Sequence, residues 1–133
     1  MNQRVRIVIA DDQARTRQSL KALFASAGQG INGEIMPGIE VVGEAGNGQE
    51  AVQLVERCQP DVVLLDVRMP IMDGLEATRQ IKARWPEIKI VVLTMHLLHR
   101  DAARAAGTDA FLLKGGSAEE LVKTIVDTVI RSS

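Results

Sequence analysis

Residues 60–70 read PDVVLLDVRMP, and the part of that stretch from Asp61 to Asp66 decides the fold. Val62, Val63, Leu64 and Leu65 run together without the polar alternation of a half-exposed strand. An unbroken run of this kind belongs to a strand covered on both faces, as in a parallel sheet flanked by helices. RIVIA at 6–10 and IVVLT at 90–94 share the pattern. Together with two shorter runs they give five strands: Val5–Ala10, Glu40–Ala45, Asp61–Asp66, Ile88–Thr94 and Ala110–Leu113.

Helical patterns fill the intervals. Ala14 to Ala27 places Leu20, Leu23, Phe24 and Ala27 on one stripe, leaving Arg15, Arg17 and Lys21 for solvent. Gly48 to Arg57 comes after the second strand. Asp73 with Glu76 three residues on is a helix-start signature ahead of LEATRQIKARW, which Pro86 ends. Ser117 with Glu120 repeats it before LVKTIVDTVI, where Leu121, Ile125 and Val129 share a face. The faintest pattern is that of the fourth helix, at about Leu98 to Ala106. The order is βα five times over, which implies a doubly wound α/β domain. One segment stands apart: Gly28 to Gly38, GQGINGEIMPG, has the Gly and Pro content of a loop, and its Ile31, Ile35 and Met36 suggest partial folding back.

Bulk properties narrow the class. The chain's 133 residues make one domain, 1–133, long enough to bury an ordinary core. Sixteen Lys and Arg against 17 Asp and Glu leave a net charge of −1, with no basic footprint for nucleic acid or an anionic membrane. The apolar runs are far too short to span a bilayer, and Met1 to Arg4 lead into a strand rather than a signal peptide. A lone Cys58 cannot form an internal disulfide, which points to the cytosol, and it reads as a packing residue at a helix end. Trp85, before Pro86, reads the same way.

The functional signal lies in the polar residues at the strand ends. Ligands of an open parallel sheet gather at the carboxyl ends of its strands. The first strand ends in Asp11 and Asp12, the third in Asp66 and the fourth in Thr94, while Lys114 comes just after the fifth. Carboxylates about 4 Å apart repel by ~4 kcal/mol at an effective dielectric of 20. Three acids would therefore need a compensating divalent cation, and carboxylates with waters suit Mg²⁺. Such a cation leaves positions for phosphate oxygens. Asp66 then serves as a nucleophile toward phosphorus, Lys114 neutralises charge on the phosphoryl oxygens, and Thr94 offers a hydroxyl donor.

The segment DVRMPIMDG, Asp66 to Gly74, resembles the phosphoacceptor signature of response-regulator receiver domains, and IADD, VVLT and FLLK resemble their other motifs. Phrases such as EVVGEAGNGQEAV are most similar to the NarL/LuxR branch. The resemblance implies a flavodoxin-like (βα)5 fold with strand order 2-1-3-4-5. It implies that Asp66 accepts a phosphoryl group from a sensor histidine kinase. Mg²⁺ or Mn²⁺ would be bound by Asp12, Asp66 and the Arg68 carbonyl, with Asp11 acting through water. Lys114 would pair with the acid. Thr94 and Phe111 would be switch residues, altering the surface of the fourth helix, fifth strand and fifth helix. A second receiver is an expected dimer partner, and DNA would be reached only through an output domain absent from this chain.

Departures from the family pattern carry expectations of their own. Gly115 stands where much of the family has Pro; a cis bond there costs ~2.5–4 kcal/mol, which counts against a cis Lys114–Gly115 peptide. The Thr94 to Lys114 interval looks about two residues short, so the fourth helix is expected to be short or displaced. The 28–38 loop looks like an insertion of roughly ten residues. Arg68 and His96, near the pocket mouth, are candidates for tuning phosphoryl lifetime, while His96 and His99 otherwise read as an exposed loop pair. Three alternatives differ in kind. A haloacid-dehalogenase-type aspartyl-phosphate phosphatase would carry its nucleophile after the first strand as Asp-x-Asp. A flavin or nucleotide binder would want phosphate-cradling amides where DDQAR stands. A stand-alone or degenerate receiver would act as a protein-interaction module.

Overall fold

The computed structural model describes residues 4–27 and 37–130. The elements are β1 (Val5–Ala10), α1 (Ala14–Ser26), β2 (Ile39–Ala45), α2 (Gly48–Cys58), β3 (Val62–Leu65), α3 (Gly74–Arg84) and β4 (Lys89–Thr94). They continue with a 3₁₀ turn (Leu97–His99), α4 (Arg100–Ala106), β5 (Ala110–Leu113) and α5 (Ala118–Ile130). Of the 28–38 loop only Pro37 and Gly38 are described, so its folding back lies outside the described residues. The five strands form one parallel sheet in the order β2-β1-β3-β4-β5.

The unbroken apolar runs are explained by where alternate residues go. Ile7, Ile9, Val62, Leu64 and Val91 face Phe24 of α1 and Leu121, Val122, Ile125 and Val126 of α5. Val8, Ala10, Val63, Leu65, Ile90 and Val92 face Ala51 and Val55 of α2, Ile81 of α3 and Ala103 of α4. Successive side chains leave a strand on opposite faces, so a strand buried twice must be apolar at every position. Fully burying each of these side chains contributes roughly 1.5–3 kcal/mol before entropy is counted.

Helix ends obey the capping chemistry. The Asp73 carboxylate accepts from Glu76 N at 2.8 Å, and Ser117 Oγ accepts from Glu120 N at 2.9 Å. Asn47 caps α2 in the same way, accepting from Glu50 N at 2.8 Å, while the Glu50 carboxylate reaches back to accept from Gly46 N at 2.7 Å. Cys58 closes α2, half-buried, with its sulfur 3.8 Å from the Val42 carbonyl. Trp85 packs at the end of α3 beneath the Arg84 guanidinium, 4.2 Å from its ring centre.

Two expectations change, and the doubt over a cis peptide at Lys114–Gly115 is upheld. The fourth helix is not a Leu98–Ala106 unit: Leu98 sits in the 3₁₀ turn, 90% exposed, and the seven-residue α4 buries only Ala103 and Ala106. Small alanines let α4 lie close to the sheet, and the bulkier leucines before it remain outside. Arg17 is not given over to solvent, because its guanidinium donates to the Asp11 carbonyl at 2.6 Å and to Glu44 at 3.2 Å. No peptide bond among the described residues is cis; Gly115 instead takes φ +93°, a left-handed conformation that glycine adopts without steric cost.

Candidate functional site

Three strands of the sheet carry their hydrogen bonding one residue past their ends, which brings the chemistry to one corner. Asp11 N donates to Ala45 O at 3.0 Å, Asp66 N to Ala10 O at 3.1 Å, and Lys114 N to Thr94 O at 2.7 Å. The side chains then meet. Lys114 Nζ donates to Asp11 Oδ2 at 2.7 Å and to Asp66 Oδ2 at 2.8 Å. The remaining oxygens accept from backbone: Asp11 Oδ1 from Gln13 N at 2.9 Å, Asp66 Oδ1 from Val67 N at 2.7 Å. Thr94 is 1% exposed at the end of β4.

This geometry revises the charge argument. Asp11 and Asp66 are held together by an ammonium between them, and Asp12 is exposed to solvent. Burial pulls the Lys114 pKa down, but its hydrogen bonds to Asp11 and Asp66 and their charges outweigh it, leaving the group above the ordinary lysine value. Among the described residues no group of three or more His, Cys, Asp or Glu side chains is gathered for a metal. The carboxylates available there are fewer. Asp12 makes no hydrogen bond or ion pair among the described residues, and it lines an open cleft of about 560 Å³ together with Arg68, Met69, Asp73 and His99. One or two carboxylates, a backbone carbonyl and waters form the donor set that Mg²⁺ accepts. The residues present fit that ion.

The loop carrying Asp66 into α3 is pinned tightly. Gly74 N donates to Val67 O at 2.8 Å, and a Cβ at Gly74 would run into the Asp66 carbonyl. Gly48 N donates to Met72 O at 2.8 Å, and a Cβ at Gly48 would strike that Met72 carbonyl. Between these anchors Ile71 adopts φ +70°, 78% exposed, spanned by a Met72 N to Pro70 O bond of 2.7 Å. A branched residue in this γ-turn is strained, and two close-packed glycines hold the loop that strains it.

The structure also places the remaining sequence candidates. Phe111 is half-buried against the cluster under α2, α3 and α4. Arg68 is exposed at the cleft. His96 is exposed and lines a separate depression with Leu98, Arg100 and Asp101. His99 is not an exposed partner of it: it is half-buried, lines the cleft beside Asp12 and Arg68, and its Nε2 is shielded without a partner. Arg17 and His99 escape a sequence reading because neither lies beside a motif residue in the chain.

A sheet ending in two carboxylates clasped by a lysine thus stands beside a buried threonine and an open cleft. The model of the response regulator receiver domain matches residues 7–126, and the chain belongs to that family. The transcriptional regulatory protein YhcZ of Bacillus subtilis (strain 168) is 41% identical over 122 residues, 90% of this chain and 53% of its own length. A LuxR-family response regulator from Aurantimonas sp. SI85-9A1 superposes with TM-score 0.85 at 29% identity, covering 97% of this chain and 87% of that one. The receiver domain of the NarL response regulator from Mycobacterium tuberculosis does so with TM-score 0.85 at 29% identity, over 96% and 98%. The chain spans about half the length of the curated relatives it matches. No helix among the described residues is long and apolar enough to cross a membrane.

Proposed function

We propose that the chain is a single receiver unit switched by phosphorylation of Asp66, with a phosphohistidine of a sensor histidine kinase as donor. The observation that carries this reading is Lys114, held by Asp11 and Asp66 at 2.7 and 2.8 Å. An Asp66 oxygen attacks phosphorus, the phosphorus–nitrogen bond breaks, and its electron pair returns to the leaving imidazole. Lys114 stays within reach of Asp66 throughout and neutralises charge on the phosphoryl oxygens. Asp12, Asp66 and the Arg68 carbonyl would hold Mg²⁺ or Mn²⁺, with Asp11 acting through water. That ion, when bound, offsets negative charge on the transferring group.

The phosphoryl group carries a charge of about −1.5 to −2 where the Asp66 carboxylate carried −1, in a corner with Lys114 as its cation. Thr94 donates its hydroxyl to it, and Phe111, lacking the hydroxyl of a tyrosine, responds by packing alone. The surface around β5 and its neighbouring helices then changes its preference for partners, a second receiver among them. The chain catalyses only its own phosphorylation and dephosphorylation, in the cytosol. Its resemblance to transcriptional regulators favours a regulatory role ahead of a DNA-binding output, over a stand-alone interaction module.

Incubation with acetyl phosphate and Mg²⁺, with intact-mass measurement as the readout, tests the reading. Wild type is expected to gain one phosphoryl mass and Asp66→Ala none. An unmodified wild type, or an equally modified variant, contradicts it.

A further inference from the structure

Asp12 differs from the other two acids of this corner in how it is held. Among the described residues its carboxylate makes no hydrogen bond or ion pair, whereas every carboxylate oxygen of Asp11 and Asp66 accepts one. The direction of the Asp12 side chain therefore depends on the backbone that carries it. That backbone is fixed on both sides of Asp11. Asp11 N donates to Ala45 O at 3.0 Å, and Asp11 Oδ1 accepts from Gln13 N at 2.9 Å, closing a turn around Asp12. The peptide that joins Asp11 to Asp12 has a bond of its own, since its carbonyl accepts from Arg17 Nη1 at 2.6 Å.

Arg17 lies in the first turn of α1, and its Nε donates to Glu44 Oε1 at 3.2 Å, next to the last residue of β2. Lys21, one turn further along α1, donates to the other oxygen of Glu44 at 2.8 Å. A guanidinium is a rigid planar fork, so the carboxylate that holds Nε also sets where Nη1 points. The Arg17 side chain is 20% exposed against 47% for Lys21, as befits a group reaching inward past its neighbour.

We propose that Arg17 is a positioning residue for the divalent cation: by holding the Asp11 carbonyl it keeps the Asp12 carboxylate presented at the cleft. This rests on Asp12 being a ligand of that ion. A guanidinium beside these acids could also act through its charge, and the two roles have opposite signs. Charge alone repels an incoming divalent ion, so its removal would tighten binding. Releasing the Asp11–Asp12 peptide would weaken it. Loss of a partner that orients a metal ligand costs about 10–100-fold in affinity.

The test is a titration of the unphosphorylated protein with Mn²⁺, the free ion being counted by electron paramagnetic resonance. No phosphoryl donor is present, so binding is read apart from the reaction. Arg17→Met, close in length but without donors, is expected to raise the Kd about tenfold. Lys21→Met removes the neighbouring bond to Glu44, leaves the Asp11 carbonyl bonded, and keeps the wild-type Kd. An unchanged or lowered Kd in Arg17→Met, or an equal rise in Lys21→Met, overturns the proposal. Should Arg17→Met fail to fold, Arg17→Lys decides. Its single nitrogen must serve oxygens that two guanidinium nitrogens serve, so the Kd still rises several-fold, and a wild-type value overturns the role. A wild type that binds no Mn²⁺, or an Asp12→Asn variant that binds it equally well, sinks the reading of Asp12 as a ligand instead.

Discussion

The two flanks of the pocket are built to different standards. On one side Asp11, Asp66 and Lys114 extend the ladders of β1, β3 and β5, and every oxygen of the two carboxylates has a donor within 2.9 Å. On the other side, Met95 to Leu98 are all exposed, and only a 3₁₀ turn and a seven-residue helix lie between β4 and β5. The first flank is held by buried sheet and charge-assisted hydrogen bonds, while the second buries only Ala103 and Ala106 of its helix. Bond-making chemistry needs fixed geometry, while a switch needs an element with little to lose by moving. On the proposed function, the firm flank would carry the chemistry and the loose one the switch.

Truncation should expose that contrast most sharply. Leu64→Ala, in the buried middle of β3, is expected to cost about 2–5 kcal/mol in urea unfolding. Leu98→Ala, of the same chemistry at an exposed site, should change stability by about 0.5 kcal/mol or less. Equal losses would mean that the loose flank is packed after all.

Charge on the firm flank comes next. Lys114→Met removes the cation between Asp11 and Asp66 and is expected to slow phosphoryl uptake by about 10²–10³-fold from acetyl phosphate. The Lys114 interaction also has a defined pH signature. Its folded pKa is raised, so its stabilising effect is fully present below the unfolded lysine value of about 10.4 and fades as pH rises through the folded one. Wild type and Lys114→Met should therefore converge in stability only in strongly alkaline solution. A difference that instead disappears near neutrality would contradict the pairing.

Gly74→Ala sharpens the comparison at the base of the loop. Its Cβ meets the Asp66 carbonyl, backbone that cannot swing aside. A loss of about 1–3 kcal/mol is expected, together with slower uptake, because the displaced group carries the acceptor. Retained stability with unchanged uptake would show that the loop gives way easily.

The firm flank was also the legible one. Val62 to Leu65 announce burial on both faces, and polar residues placed directly after such runs must fall at one sheet edge. What the sequence could not convey was the sharing of charge: Lys114 lies 48 residues from Asp66, and nothing local says that it reaches between two acids while Asp12 stays exposed. The loose flank misled for a different reason. The sequence puts Leu98 at the start of the fourth helix, yet it falls in a 3₁₀ turn. His99 reads as an exposed loop residue, yet it is half-buried and lines a cleft with residues of the β3–α3 loop, which periodicity does not register.

The central claim is that Asp66, and no other acid of this corner, carries the phosphoryl group. Borohydride reduces an acyl phosphate to an alcohol, turning a phosphorylated aspartate into homoserine that peptide mass mapping locates. After acetyl phosphate and Mg²⁺, the account predicts homoserine at position 66 alone. Homoserine at position 11 or 12, or none anywhere, would contradict it.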